Sequence, residues 1–253
     1  MICGIDLGSR NVKIVIVDEQ KQNIIATKIY ETVDFYKKYA IKQEGGLIVD
    51  LSSLEIDNIS SVVATGYGRN TVNLKNAKVI SELKAHVIGA IWQTKLSNFT
   101  LLDLGGQDSK VIKVQNSKMV DFQTNDKCAA STGRYLENMA VVLGMSLEKM
   151  SSYTESPVEL NSTCAIFGES ELIERIVEGY SEAELAAGVN YTIFRRIKPM
   201  LMSLYSEKLV LVGGVALGNS IGKYIQDELN MKVVVPSKPQ INGALGCAVC
   251  KNT

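Results

Sequence analysis

The sequence lacks an excess of charge of either sign, a long apolar run and any abundance of histidine. Its 27 basic residues balance its 27 acidic residues, which argues against a nucleic-acid-binding surface or a polybasic membrane patch. No uninterrupted apolar stretch approaches the ~20 residues that a membrane-spanning helix needs. The chain enters an apolar strand pattern within its first few residues, so we expect no signal peptide and a cytoplasmic location.

Histidine and cysteine also set limits. The single histidine, His86, lies in an apolar helical pattern over residues 79–96, where packing or capping is more typical than metal binding. In a cytoplasmic protein, cysteines are expected to be reduced, buried or metal-bound rather than disulfide-bonded. The chain has five cysteines: Cys3, Cys128, Cys164, Cys247 and Cys250.

What the sequence does contain is one short motif that occurs twice. An apolar strand ends in Asp6, glycine follows, and Lys13 opens the next apolar stretch; Asp103 and Lys110 repeat this arrangement with the same spacing. Glycines let backbone N–H groups approach an anion, and the carboxylate can hold a hydrated cation beside it. One Asp-Gly hairpin would be a common turn. Two in register predict a duplicated fold, with one phosphate loop from each half facing a shared cleft.

A third glycine element follows an apolar strand over residues 210–212. Gly213 and Gly214 stand between that strand and a predicted helix, where a flat ring or a phosphate can lie against the backbone. Many α/β proteins place a glycine pair there only to turn. Together with the two Asp-Gly hairpins, however, the pair predicts a nucleotide cradle of three parts. The loop Thr65 to Arg69 fits a glycine turn and a site role equally well.

The remaining pattern alternates strands and helices, which predicts an α/β protein. Residues 34–46 are polar and are predicted to be a surface excursion, residues 49–54 a short helix, and Ser181 with Glu184 a capping box. Strands are predicted at 2–5, 12–18, 23–33, 59–64, 101–104, 111–114, 119–123, 208–212 and 233–235. Helices are predicted at 79–96, after Cys128 to Gly144, after Cys164 to Gly179, from Ser181 to about Leu204, after Gly214 to about Leu229, and at 240–250.

Two of the cysteines precede predicted helices. Unpaired N–H groups and the helix dipole would stabilise a thiolate at Cys128 or Cys164, or an anionic iron–sulfur cluster bound by it. Two thiolates are half of a four-cysteine site, which a two-fold related subunit could complete. The alternatives are two small buried side chains, or completion within one chain by Cys247 and Cys250, which would share a helix face.

Taken together, these motifs resemble the activators of 2-hydroxyacyl-CoA dehydratases. Those activators belong with the ATPase subunits of benzoyl-CoA reductase in the acetate and sugar kinase/Hsc70/actin superfamily. The resemblance extends from residue 2 to about 249. The residues that carry it are 4–9 (GIDLGS), 102–110 (LDLGGQDSK), 125–130 (NDKCAA), Cys164 with 167–171 (FGESE), 213–216 (GGVA) and 239–246 (PQINGALG).

The resemblance implies a fold of two ribonuclease-H-like, actin/Hsc70-type α/β domains with an ATP cleft between them. The first domain would span residues 1–97 and the second residues 98–239, and the closing helix, at about 240–253, would pack back on the first. The resemblance also implies a homodimer with one [4Fe-4S] cluster, held by Cys128 and Cys164 of both chains.

It further implies roles for residues of the nucleotide site. Asp6 and Asp103 would hold Mg²⁺ through water, and Gln107 would orient the attacking water. The phosphates of ATP or ADP would be cradled by Gly8, Ser9, Arg10, Asn11, Val12 and Lys13 of the first loop and by Gly105, Gly106 and Gln107 of the second. The adenosine pocket would be lined by Gly213, Gly214 and Gln240. Arg10 and Val12 replace small hydroxyl residues that are usual in the family, so the first loop is altered.

The implied activity is ATP hydrolysis coupled to one-electron transfer. Reduced ferredoxin or flavodoxin would donate the electron, and a 2-hydroxyacyl-CoA dehydratase or a related iron–sulfur reductase would accept it. Two other functions compete with this interpretation. A small-molecule kinase would need a catalytic aspartate beyond Asp6 and Asp103, and a chaperone-like assembly protein would leave the cysteines without a role.

Overall fold

The computed structural model describes residues 1–43, 46–49, 58–66, 68, 72–74, 77–125, 132–162 and 165–250. The chain divides into two compact units. Unit 1 comprises Met1–Leu96 with Ile241–Thr253, and unit 2 comprises Ser97–Gln240. Within the described residues, no helix combines the length and apolarity needed to cross a membrane.

Strands and helices alternate along the described chain. The strands are β1 (Ile2–Leu7), β2 (Asn11–Val17), β3 (Ile24–Glu31), β4 (Ala40–Gln43), β5 (Gly46–Val49), β6 (Ser61–Thr65), β7 (Val72–Leu74), β8 (Ala77–Val79), β9 (Phe99–Leu104), β10 (Ser109–Gln115), β11 (Lys118–Thr124), β12 (Lys208–Gly213) and β13 (Lys232–Val234). The helices are α1 (Thr32–Tyr39), α2 (Glu82–Thr94), α3 (Gly133–Val142), α4 (Leu147–Met150), α5 (Ala165–Val177), α6 (Glu182–Ser203), α7 (Ser220–Leu229) and α8 (Asn242–Val249).

Each unit is built on a five-stranded sheet, and the two sheets have the same plan. The strand order is β3-β2-β1-β6-β8 in unit 1 and β11-β10-β9-β12-β13 in unit 2. In both, the motif strand pairs antiparallel with the strand after it and parallel with a later one. Every residue of β1 and β9 is buried, as expected of central strands covered on both faces. The predicted α/β duplication is therefore confirmed.

The surface excursion predicted at 34–46 contains regular elements, most of α1 and all of β4, and only Phe35 is buried among residues 34–43. The strand predicted at 23–33 is present as β3 and ends at Glu31. Helix α1 is held by its aromatic face: Phe35 is fully buried and lies within 5.6 Å of the Tyr30 ring and 5.3 Å of the Tyr39 ring, measured between centroids. Two aromatic contacts of Phe35 on so short a helix outweigh the polar composition of its other face. Of the helix predicted at 49–54, Val49 ends strand β5, and residues 50–54 lie outside the described residues.

The long helix of unit 2 begins where the sequence predicts it. Ser181 caps α6 by accepting a hydrogen bond from the Glu184 amide, and the Glu184 carboxylate accepts one from the Ser181 amide, which confirms the capping box. The helix ends at Ser203, next to the predicted Leu204. Its buried residues join the main apolar cluster of unit 2, together with β9, β12 and α3.

Helix α8 packs in unit 1 at a distance that only glycine permits. A Cβ atom added at Gly246 would lie 1.8 Å from the Ala85 carbonyl oxygen and 3.0 Å from the Gly89 amide nitrogen, both on α2. On its other side, α8 buries Ala244, Leu245 and Ala248 in a cluster with residues of β1 and β2. The closing helix is therefore part of the core of unit 1.

We predict that Gly246→Ala destabilises the protein by about 1–3 kcal/mol or more, because the added methyl group would separate α8 from α2. The measurement is the free energy of unfolding in denaturant. Gly222→Ala on α7 is the matched control, since a Cβ there would meet only ordinary contacts, at 3.6 Å from Val233. The control is expected to unfold as wild type does or to gain a fraction of a kcal/mol. Equal stability of the two variants would contradict the close packing of α8.

Candidate functional site

The two predicted aspartates occupy equivalent positions in their sheets. Asp6 pairs with Lys13 on the antiparallel neighbour strand, and Asp103 pairs with Lys110 in the same way. In both pairs the lysine Nζ lies 3.4 Å from the aspartate Oδ2. The two carboxylates are only 4% and 3% exposed, so each depends on its lysine to offset the cost of burying a charge.

Both aspartates also face a glycine on the parallel neighbour strand. Gly66 follows the residue that pairs with Asp6, and Gly213 follows the partner of Asp103. Their φ angles are +97° and +93°, and an added Cβ would lie 2.6 and 2.8 Å from the Oδ1 atom of the adjacent aspartate. Only glycine fits at both positions, because any Cβ atom would collide with the aspartate. Gly66 is therefore the counterpart of Gly213, which favours a site role for this glycine, while Tyr67 and Arg69 of the same loop lie outside the described residues.

The carboxylate of Asp6 can accept a cation. Its Oδ2 contacts Lys13, but Oδ1 is buried and has no hydrogen-bond partner among the described residues. An unsatisfied buried carboxylate oxygen costs free energy unless a ligand or water reaches it. A hydrated Mg²⁺ fits this atom, because magnesium prefers oxygen ligands and retains several of its waters.

The second loop carries an additional acidic residue. Lys110 contacts Asp108 as well, with 2.8 Å between Nζ and the Asp108 Oδ2. The Asp108 carbonyl closes the loop by accepting a hydrogen bond from the Gly105 amide at 3.0 Å. Gln107 lies at the tip of this turn with its side chain exposed, as a residue that orients a water molecule would need to be.

The first loop differs from the second in its side chains. Gly8, Ser9 and Arg10 are partly exposed, and Arg10 forms an ion pair with Glu31 at 3.1 Å. Val12 is fully buried, so its side chain cannot contact a phosphate. Asn11 and Lys13, which the sequence also assigns to the cradle, lie on β2 and are partly exposed.

In unit 2 the second loop lies beside the start of α3 and the turn after β12. A Cβ added at Gly133 would lie 3.0 Å from the Gly105 carbonyl oxygen and 3.6 Å from Val215 Cγ2. Val215 directly follows Gly213 and Gly214, so two of the three predicted glycine elements come together. Gln240 lies in a short 3-10 turn, Pro239–Ile241, at the end of unit 2, and its contact with adenosine stays a prediction.

Tyr36 carries no motif that would identify it from the sequence. Its side chain comes from α1, which lies within the segment 34–46. Its hydroxyl oxygen lies 2.5 Å from the point where a Cβ atom would be if Gly68 were another residue. Burial, and then the negative charge of Asp6, raise the pKa of Tyr36 above its ordinary value. Tyr36 therefore belongs to the polar surroundings of Asp6.

The predicted cluster ligands, Cys128 and Cys164, lie outside the described residues. Helix α5 begins directly after Cys164, and α3 begins at Gly133. The first amides of α3 are not free for a thiolate, because Gly133 donates to the Gly105 carbonyl at 3.0 Å and Arg134 to the Gly106 carbonyl at 2.9 Å. The expected stabilisation of a thiolate by these two amides is therefore absent.

The other three cysteines are buried. Cys3, Cys247 and Cys250 are at most 4% exposed, and none of them forms a disulfide within the described residues. Burial raises the pKa of Cys3 to about 12 and raises the pKa of Cys247 well above its ordinary value. Because the thiolate is the metal-binding form, the raised pKa of Cys247 argues against this residue as a cluster ligand.

The packing role expected for His86 stays a prediction, because its side chain belongs to a group of possible metal ligands among the described residues. His86 lies buried on α2, and its backbone carbonyl accepts a hydrogen bond of 2.8 Å from the Asn242 side chain. Asn242 also accepts a hydrogen bond from Gln93, at 3.0 Å. These contacts join α2 to the first residue of α8 and support the close packing at Gly246.

Comparison with known proteins gives matches over nearly the whole chain. The chain is 35% identical to the activator of lactoyl-CoA dehydratase from Anaerotignum propionicum, over 97% of this chain and 95% of that protein. It is 32% identical to the (R)-2-hydroxyglutaryl-CoA dehydratase activating ATPase of Acidaminococcus fermentans, with the same coverages. Among solved structures, the activator of the 2-hydroxyisocaproyl-CoA dehydratase from Clostridium difficile with bound ADPNP has a TM-score of 0.82 and 31% identity. That match covers 98% of this chain and 92% of the other.

These matches confirm the predicted fold class, because the two α/β units correspond to the actin/Hsc70-like ATPase fold of the activators. The family model described as the BadF/BadG/BcrA/BcrD ATPase family matches residues 3–250. The chain belongs to the BadF/BadG/BcrA/BcrD ATPase family.

Proposed function

We propose that this protein hydrolyses ATP and uses it to deliver one low-potential electron to an enzyme of the 2-hydroxyacyl-CoA dehydratase type. The observation that carries the proposal is the repeated Asp–Lys–Gly arrangement at the ends of two equivalent strands. It occurs in a member of an ATPase family whose relatives, matched over almost their full length, are named as activators of such dehydratases.

The nucleotide half of the proposal assigns a task to each loop. The backbone amides around Gly8 and Gly105 bind phosphate oxygens, while Lys13 and Lys110 hold the aspartates in place and add positive charge. Asp6 and Asp103 hold Mg²⁺ through water, and the ion, when bound, neutralises charge on the transferred phosphoryl group. Gln107 orients the attacking water.

The assignment of the adenosine end rests on Gly213, Gly214 and Gln240. The turn after β12 lies beside the second phosphate loop, which supports placing the base and ribose there. That a single ATP uses both loops stays a prediction. In the first loop, the ion pair between Arg10 and Glu31 directs the arginine toward β3, so that Ser9 carries the hydroxyl contact with phosphate.

The electron-transfer half assigns the cluster to Cys128 and Cys164. The surroundings of two other cysteines support this choice, because burial raises the pKa of the Cys3 and Cys247 thiols and so disfavours the thiolate. A [4Fe-4S] cluster, when bound, supplies a one-electron carrier whose four thiolate ligands come from two chains. The homodimer is thus part of the proposal, since one chain supplies only two of the four ligands.

The surface that follows Cys164 supports a second protein chain at this position. Four large apolar side chains on α5 are exposed, namely Phe167 (71%), Ile173 (48%), Ile176 (45%) and Val177 (83%). Apolar groups at this density on one helix are typical of a protein–protein interface. Leu172 and Gly168 on the same helix face the interior of unit 2. A two-fold related copy would cover these four apolar side chains and bring Cys128 and Cys164 of the two chains together.

The proposed reaction moves one electron from a single donor to a single acceptor. A reduced ferredoxin or flavodoxin loses one electron, the dehydratase-type partner or a related iron–sulfur reductase gains it, and ATP becomes ADP and phosphate. For a one-electron couple, each tenfold change in equilibrium corresponds to about 59 mV, so a strongly reducing delivery needs an external source of free energy. ATP supplies it only if the protein makes different contacts before and after hydrolysis.

We predict that Asp6→Asn lowers the turnover number of Mg²⁺-dependent ATP hydrolysis about 100-fold, because the amide cannot hold the hydrated cation. The side chain keeps its size but no longer offsets the charge of Lys13, so thermal melting must show a folded variant before turnover is compared. The measurement is phosphate release at saturating Mg-ATP. Asp227→Asn on the exposed face of α7 makes the same chemical change away from the loops and should retain wild-type turnover. Undiminished hydrolysis by Asp6→Asn would remove this residue from the site.

We also predict that Cys128→Ala, purified without oxygen, contains no iron or sulfide but binds ATP with wild-type affinity. The reason is that the residue serves the cluster and not the nucleotide. Iron analysis and nucleotide titration of the same sample measure the two properties. Cys247→Ala is the control, because its thiol is buried and neutral, and it should keep the full complement of iron. Full iron in Cys128→Ala, or loss of iron only in Cys247→Ala, would refute the ligand assignment.

A further inference from the structure

A threonine hydroxyl lies behind the first phosphate loop. Thr32, the first residue of α1, donates through Oγ1 to the Gly8 carbonyl oxygen at 2.7 Å, and its amide donates to the Arg10 carbonyl at 3.2 Å. Gly8 is the second residue after Asp6. The helix that follows the third strand of unit 1 therefore binds the peptide groups of the loop.

Unit 2 repeats this contact with a different residue. Thr132 donates through Oγ1 to the Gly106 carbonyl oxygen at 2.9 Å, and the amides of Gly133 and Arg134 donate to the carbonyls of Gly105 and Gly106. Thr132 is completely buried. Like Thr32, it lies at the start of the helix that follows the third strand of its sheet, so the two threonines occupy comparable positions.

The side chain of Thr132 does not cap its own helix. Thr132 is the N-cap residue of α3, where a threonine side chain normally accepts a hydrogen bond from its own helix, but it makes no such bond. Ser146 and Ser181, which precede α4 and α6, both cap their helices in the ordinary way. The hydroxyl of Thr132 is directed to the phosphate loop instead.

These contacts fix the direction of specific amide groups. No cis peptide bond occurs in the described chain, and in a planar trans peptide the C=O and the next N–H point in opposite directions. A carbonyl of Gly8 held toward Thr32 turns the Ser9 N–H away from α1. In the same way, the bound carbonyls of Gly105 and Gly106 turn the N–H groups of Gly106 and Gln107 away from α3.

The amides turned in this way remain available. The N–H groups of Ser9, Gly106 and Gln107 donate to no acceptor among the residues that the structure describes. Consecutive N–H groups that project from a glycine turn form a concave site for an anion. We infer that Thr32 and Thr132 are positioning residues for phosphate binding: each holds a loop carbonyl from behind so that the amide that follows it points at a phosphate of the nucleotide.

This inference rests on the proposed nucleotide function and adds two residues to it. Neither threonine touches the phosphate in this arrangement, so each acts through the peptide group that it holds. The effect should therefore be confined to the phosphate part of the ligand. Adenosine lacks phosphate and should bind equally well whether or not the hydroxyl groups are present.

The test is the affinity of Thr32→Val and Thr132→Val for a non-hydrolysable ATP analogue and for adenosine, measured by calorimetry with Mg²⁺. Valine keeps the shape of threonine and removes the hydroxyl group. We expect the dissociation constant for the analogue to rise about three- to tenfold in each variant, as for loss of one hydrogen bond. Thr132→Val should lie at the lower end, because Arg134 also donates to the Gly106 carbonyl. Adenosine affinity should stay the same.

Two kinds of control accompany these variants. Thr94→Val removes a hydroxyl that donates at 2.7 Å to the Ala90 carbonyl and accepts from the Leu96 amide at 3.3 Å. It is matched in chemistry and distance but contacts only the end of α2, so analogue binding should be unchanged. Thr32→Ser and Thr132→Ser keep the hydroxyl group and should restore wild-type affinity.

The outcomes separate the inference from the proposed function. If wild type fails to bind the analogue, the nucleotide function itself is wrong. If wild type binds it and both valine variants, folded by thermal melting, bind it equally well, the inference is overturned. Equal weakening of adenosine and analogue would also overturn it, because a general structural effect would then explain the loss. Selective loss of analogue binding with serine rescue supports it.

Discussion

A carboxylate buried at the end of a central strand is costly unless a cation lies beside it. Both units meet this requirement with a lysine on the adjacent antiparallel strand, at the same distance of 3.4 Å from Asp6 and from Asp103. Removing one partner of a buried pair typically costs ~3–5 kcal/mol, so the aspartate, the lysine and the hairpin between them behave as one unit. The Asp6 oxygen that no described residue satisfies makes this expensive arrangement a candidate binding site.

Much of this arrangement could be predicted from the sequence because it is local. The Asp-to-Lys spacing is a property of one hairpin, and continuous apolar runs identify β1 and β9 as central strands. The capping box of α6 could be predicted for the same reason, because Ser181 and Glu184 are only three positions apart. Duplication could be predicted because the same local pattern occurs twice. Gly66 was ambiguous, since its equivalence to Gly213 depends on the register of strands that are distant in the chain.

The features that the sequence did not reveal depend on tertiary contacts. Helix α1 is short and has a polar face, so its composition does not predict a helix. The ring contacts of Phe35 that stabilise it form only in the folded protein. Tyr36 and Thr32 lie on that helix and were missed with it. Thr132 has the sequence signature of a helix cap, yet its hydroxyl binds the Gly106 carbonyl. The same contacts occupy the amides at the start of α3 that had been expected to favour a thiolate.

We propose that the aspartate hairpins bind ATP together with magnesium. The decisive measurement is calorimetric titration of the intact wild-type protein with a non-hydrolysable ATP analogue, once with Mg²⁺ and once with EDTA. We expect saturation at one nucleotide per chain and clearly tighter binding when Mg²⁺ is present. Absence of binding, or the same affinity in EDTA as in Mg²⁺, would contradict the proposal.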